Sequence, residues 1–98
     1  MKIALASPPF PESIDDGLVQ IEKLVKDAAA RQAEIICFPE SYIPGYPALD
    51  FEAEKSTPEN LETALQKACM IAKENSIAII LPMDWFTNEG LLNVAFVI

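Results

Sequence analysis

Glu40 is the residue of this chain best placed to do chemistry. It follows the apolar run Glu34-Ile35-Ile36-Cys37-Phe38-Pro39 and leads into the stiff segment Ser41-Tyr42-Ile43-Pro44-Gly45-Tyr46-Pro47. The run predicts a buried strand, and ligand crevices of open α/β sheets lie beyond the carboxyl ends of strands. Flanked by Phe38, Tyr42 and Ile43, the carboxylate is expected to be partly desolvated, and a desolvated carboxylate takes up a proton more readily, as a general base must. Tyr42 and Tyr46 are candidates to line a substrate pocket beside it. The plainer alternatives are that Glu40 caps a turn or pairs with a surface lysine, and that the tyrosines pack on their own prolines.

Nucleophiles and ligands are scarce elsewhere. The chain has two cysteines, Cys37 and Cys69, and no histidine. Without a CxxC pair or a histidine, zinc, haem and Ser/His or Cys/His nucleophile pairs are excluded from the expectation, so no metal and no cofactor is predicted. A phosphate-cradling loop is also missing, because Gly17, Gly45 and Gly90 stand alone. Cys37 is expected inside the core and Cys69 beside the apolar stripe of a helix, both as buried, reduced thiols. Lys67 and Lys73 read as solvated helix residues, Asp84 as a solvated turn residue, and Trp85 as a packing residue at a sheet end.

The elements that position these groups follow from periodicity. Lys2 to Ala6 reads as a short buried strand closed by Pro8, Pro9 and Pro11. Leu18, Ile21, Leu24, Val25, Ala28, Ala29 and Ala33 recur at helical spacing, with Ser13, Asp15 and Asp16 as start signals. Glu34 to Phe38 is a second strand, parallel to the first through a crossover. The stretch from Glu40 to Ser56 holds Pro44, Gly45 and Pro47 and is read as a long loop, of a length expected to be functional or mobile. Thr57-Pro58 opens a second helix, with proline at the first helical position and Ser56 or Thr57 as the cap; its stripe is Leu61, Ala64, Leu65, Ala68, Ile71 and Ala72, and Glu74-Asn75-Ser76 ends it. Ile77 to Leu81 is a third strand, apolar throughout and expected to be buried on both faces. Asn88-Glu89-Gly90 is a turn, and Leu91 to Ile98 is a fourth strand paired antiparallel in a hairpin. The order β-α-β-α-β-β defines an α/β layer protein of one domain, residues 1–98.

Composition limits the partners. Seven Lys+Arg against fifteen Asp+Glu leave a net charge of −8, which disfavours nucleic acid and anionic membranes. The apolar segment after Lys2 is too short for a signal peptide or a membrane span, so a cytoplasmic chain is expected. Two helices cover one sheet face only, and the last strand, Asn93-Val94-Ala95-Phe96-Val97-Ile98, is strongly apolar. The sheet is therefore expected to be completed by self-association into a homo-oligomer.

Phe38-Pro39-Glu40 and Pro44-Gly45-Tyr46-Pro47, with the Ala-rich helix and the Ala33-Glu34-Ile35-Ile36 strand before them, resemble the N-terminal portion of the nitrilase (carbon–nitrogen hydrolase) superfamily. The Pro-Gly-Tyr-Pro element is most similar to the nitrilase and cyanide-hydratase branch, and Asn93 in Leu91-Leu92-Asn93-Val94-Ala95 matches an Asn near the start of the family's next strand. The resemblance implies part of an α-β-β-α sandwich and a Glu-Lys-Cys triad that hydrolyses nitriles or amides through a covalent acyl-enzyme. Only Glu40 carries over, as the base that takes the thiol proton. The family's lysine and nucleophilic cysteine lie downstream of the last strand here, and neither Cys37 nor Cys69 has the nucleophile's context. An isolated chain is then expected to be inactive, with a small nitrile or amide as substrate only when the triad is completed. The competing function is a non-catalytic α/β module that forms homo-oligomers.

Overall fold

Two helix caps set the frame. Ser13 takes an extended conformation and its hydroxyl accepts a 2.9 Å hydrogen bond from the Asp16 amide, starting α1 (Ile14–Ala30). Thr57 does the same for the Asn60 amide at 3.1 Å, with Pro58 as the first residue of α2 (Pro58–Asn75). The helices end where the chain turns left-handed, at Gln32 (φ 66°) and Ser76 (φ 51°). Ala33, expected as part of the α1 stripe, thus lies beyond the helix, yet it is still buried in the core.

The computed structural model describes residues 1–45 and 56–98. Its strands are β1 (Ile3–Leu5), β2 (Ile35–Cys37), β3 (Ala78–Thr87) and β4 (Gly90–Val97), in the spatial order β1-β2-β3-β4. β1, β2 and β3 run parallel through the helical crossovers, and β4 returns antiparallel. The order β-α-β-α-β-β is the one expected from the sequence. Among the described residues, no helix is long and apolar enough to cross a membrane.

β3 runs six residues past the expected end at Leu81, straight through Pro82. Proline tolerates this position for a reason visible in the ladder. Ile79 and Ile98 exchange both backbone hydrogen bonds, at 3.0 and 2.8 Å, so Pro82 opposite Ala95 falls on a pair that needs no bond toward β4. On its other side β2 has already ended. Asp84 is therefore a strand residue opposite Asn93, and not part of a turn.

Both helices pack on one sheet face. Ile36, Ile79, Leu81 and Met83 are buried against Ile21, Val25, Leu61, Ala64 and Ala68 in one core. Trp85 and Phe96 close its edge with ring centroids 5.0 Å apart in a T-shaped contact, the packing role expected of Trp85. The alternate residues face the other way. Ile3 and Leu5 are 54% and 80% exposed, Val97 is 79% exposed, and Ile35, Cys37, Ala78 and Ile80 are half-buried. The expectation that β3 is buried on both faces fails here, because among the described residues nothing covers this second face. Cys37 also lies on it, paired between Leu5 and Ile80, and not in the helix-side core. Cys69 is exposed on α2, where a buried thiol was expected.

Candidate active site

Glu40 is delivered by the end of β2. After Cys37 the Phe38 amide still donates to the Ile80 carbonyl at 3.0 Å, and the chain then leaves the ladder in a turn. Ser41 takes the left-handed region (φ 48°) and is 5% exposed, while the Gly45 amide returns to the Ser41 carbonyl at 3.1 Å. The turn is then tied back to the sheet. Ile43 forms a bridge with Met83, and its carbonyl accepts from the Asp84 amide at 3.0 Å. Ile43 is fully buried, so this anchor is set in the core itself.

The flanking side chains act differently from expectation. Phe38, Tyr42 and Ile43 all turn into the helix-side core, and the Glu40 side chain remains exposed. The turn after β2, with Ser41 in the left-handed region, separates them, so the three side chains brace the turn while the carboxylate stays exposed. Tyr42 is 3% exposed, lies 5.5 Å from the Phe38 ring, and donates a long 3.4 Å hydrogen bond to the Pro9 carbonyl. Burial, followed by the nearby Asp16 carboxylate, pushes the Tyr42 hydroxyl up to about 12. Tyr42 also contributes to the wall of a cavity of about 260 Å³ that opens at Glu40 between the β1–α1 loop (Ser7, Pro8, Phe10) and Pro39. Tyr46 lies outside the described residues, as does most of the loop expected before α2.

Asn93 completes the arrangement. Its Nδ2 donates to Glu40 Oε1 at 2.8 Å, although the residues are 53 positions apart. Asn93 stands opposite Asp84, which points away from the buried Met83, so the Glu40 carboxylate reaches over β3 on the uncovered face. The signal for Asn93 was present in the sequence, as one amide in an otherwise apolar strand, but its partner could not be read without the sheet order. A larger cleft of about 510 Å³ lies between α1 and α2, floored by Leu18, Val19 and Met70, on the opposite side of the sheet from Glu40. Lys67 and Lys73 are exposed on α2. No group of three or more His, Cys, Asp or Glu side chains that could hold a metal occurs among the described residues.

A three-stranded parallel sheet with an antiparallel fourth strand, helices on one face and a hydrogen-bonded carboxylate over the other, defines part of a mixed α/β layer domain. Comparison with known families gives the class more closely: the carbon–nitrogen hydrolase model matches residues 2–98, and the chain belongs to that family. Its fold is similar to the glutamine-dependent NAD+ synthetase of Acinetobacter baumannii, solved with ADP, at 29% identity and a TM-score of 0.71. That match covers 98% of this chain and 18% of the synthetase. A second glutamine-dependent NAD(+) synthetase, from Cytophaga hutchinsonii, shares the fold at 23% identity and a TM-score of 0.72, with 98% of this chain and 16% of that one covered. The chain thus spans less than a fifth of either synthetase. No curated protein matches it.

Proposed function

We propose that Glu40 is the general base of a carbon–nitrogen hydrolase that cleaves an amide or nitrile through a Glu-Lys-Cys triad. The observation that carries the reading is the Glu40 carboxylate, held by Asn93 at 2.8 Å beside an apolar cavity, at the end of the strand where the family resemblance puts its base. A free thiol is mostly protonated near neutral pH, so attack on the carbonyl or nitrile carbon needs a base to take the S–H proton as the C–S bond forms. For an amide, that proton leaves with ammonia as the C–N bond breaks, and water then hydrolyses the thioester. Lysine and cysteine come from polypeptide other than these 98 residues, and the chain alone is inactive.

An amide is the favoured substrate, since the similar structures are named for their dependence on glutamine, which carries a carboxamide. Pro44-Gly45-Tyr46-Pro47 keeps a nitrile as the runner-up. Tyr42 and Tyr46 are assigned to the substrate-pocket wall, no cofactor takes part, and the setting is cytoplasmic without nucleic acid or membrane. In the assembly that supplies the lysine and cysteine, Glu40→Gln is expected to lower kcat at least about 10²-fold with the fold intact, the range of a lost general base. Turnover within a few-fold of the parent would refute the assignment.

A second reading has its own observation. Leu5 and Val97, 80% and 79% exposed on one apolar face, favour a non-catalytic module that homo-oligomerises through that face. Light scattering of the purified chain tests it, and a monomer at high concentration counts against it.

A further inference from the structure

We propose that Asn93 is the positioning residue for the Glu40 base, and that the β3–β4 hairpin is thereby part of the catalytic apparatus. The inference rests on the reading of Glu40 as general base, and its geometry is independent of that reading. Glu40 is exposed, and its side chain has three rotatable bonds with which to leave any one position. Two tethers restrict it. Through the backbone, the turn that carries Glu40 is fixed where the Asp84 amide donates to the Ile43 carbonyl at 3.0 Å. Through the side chain, Glu40 Oε1 accepts from Asn93 Nδ2 at 2.8 Å. Asp84 and Asn93 are directly opposite each other on β3 and β4. Both tethers therefore end on the same rung of the ladder, and turn, rung and carboxylate form one closed ring.

The rung itself suits the task. By the alternation set at Ile79 and Ile98, the Asp84–Asn93 pair exchanges no ladder bonds, which is the type that brings facing side chains closest. An asparagine is disfavoured in a strand interior, and here it interrupts Leu91-Leu92 and Val94-Ala95-Phe96. A carboxamide is also a chemically apt partner. It donates to one carboxylate oxygen without neutralising the charge, as a lysine or arginine would, and it does not titrate in the working range. Among the described residues Oε2 has no hydrogen-bond partner, which leaves that oxygen to receive the thiol proton.

The test has a structural and a kinetic arm. In the 98-residue chain, Glu40→Ala is expected to shift the Asn93 side-chain amide resonances and leave the Asp84 backbone amide in place, and unmoved Asn93 resonances would overturn the contact. In the assembly with lysine and cysteine supplied, Asn93→Ala is expected to lower kcat about 10²-fold, the scale of a misplacement of about 1 Å, with KM changed by less than about twofold. Asn93→Ser keeps a polar strand residue too short to reach Oε1, and it should give the same loss should the alanine variant fail to fold. Adding Asn93→Ala to Glu40→Ala should cause no further loss. A change confined to KM, or an unchanged kcat where Glu40→Ala abolishes turnover, would overturn the positioning role alone. Full turnover in Glu40→Ala would instead remove the base reading beneath it.

Discussion

Replacing Gly17 by alanine sets two well-measured effects against each other at a point that braces the turn carrying Glu40. Gly17 is interior to α1, where alanine is favoured over glycine by about 1 kcal/mol. A Cβ built there, however, would lie 2.7 Å from Ile43 Cδ1 and 3.4 Å from Pro11 Cβ. Carbon atoms pack best at about 3.5–4.0 Å, so the new methyl intrudes by about 1 Å. Ile43 Cδ1 ends a flexible side chain, but Ile43 is fully buried and has no solvent to swing into. Overpacking of this kind costs about 1–3 kcal/mol. We expect Gly17→Ala to destabilise the chain by about 1 kcal/mol net, read from urea unfolding followed by circular dichroism, with faster hydrogen exchange of the Asp84 amide that bonds Ile43. In an Ile43→Val background the offending methyl is gone, and the same substitution should stabilise by about 1 kcal/mol through helix propensity alone. Stabilisation by the same amount in both backgrounds would refute the reasoning.

Two further perturbations probe neighbouring elements. The Tyr42 hydroxyl is pushed from 10.0 to about 12 in the folded chain, so between those values the native state holds a proton that the unfolded chain has lost. This contribution is complete below pH 10 and disappears as pH rises toward 12, so stability should fall across that window and Tyr42→Phe should remove that part of the fall, as measured by urea midpoints at stepped pH. An equal alkaline fall in Tyr42→Phe would show that other groups cause it. Ser13→Ala removes the cap on the Asp16 amide at 2.9 Å and should cost about 1 kcal/mol, with a thermal melt as the check and no change as the contrary result.

Much of the fold was legible because the signals were local. Ser13 and Thr57 mark helix starts by their own hydroxyls, Pro58 can stand at a first helical turn, and Asn88-Glu89-Gly90 can only be a turn between two apolar runs. Glu40 was legible for a similar reason, being the carboxylate at a strand's end. Pro82 hid half of β3, since proline's fitness for a strand depends on which side of the ladder its nitrogen faces, and that is set by β4. The same dependence hid Asn93. Its partner is 53 residues away, in the turn after a strand that is not its neighbour, and no periodicity reports a contact across an intervening strand. The desolvation expected of Glu40 misread nearness in sequence as burial in space, because Phe38 and Tyr42 are taken up by the core while the Glu40 side chain stays exposed.

The two-sidedness of the sheet divides the residues of a single strand into two experimental populations. Truncating Ile79, Leu81 or Met83 touches only the core, so the loss it causes should be the same at every protein concentration. Ile80, beside them in the chain, and Val97, its cross-strand partner, look toward the uncovered face, and a polar residue there should be nearly silent in dilute solution. Its effect should emerge only as concentration rises or a covering polypeptide is added. Titrating stability against concentration for odd and even positions of β3 thus separates folding from association within one short stretch of chain. Because the Glu40 carboxylate lies over that same face, whatever covers the sheet also decides how much water reaches the carboxylate.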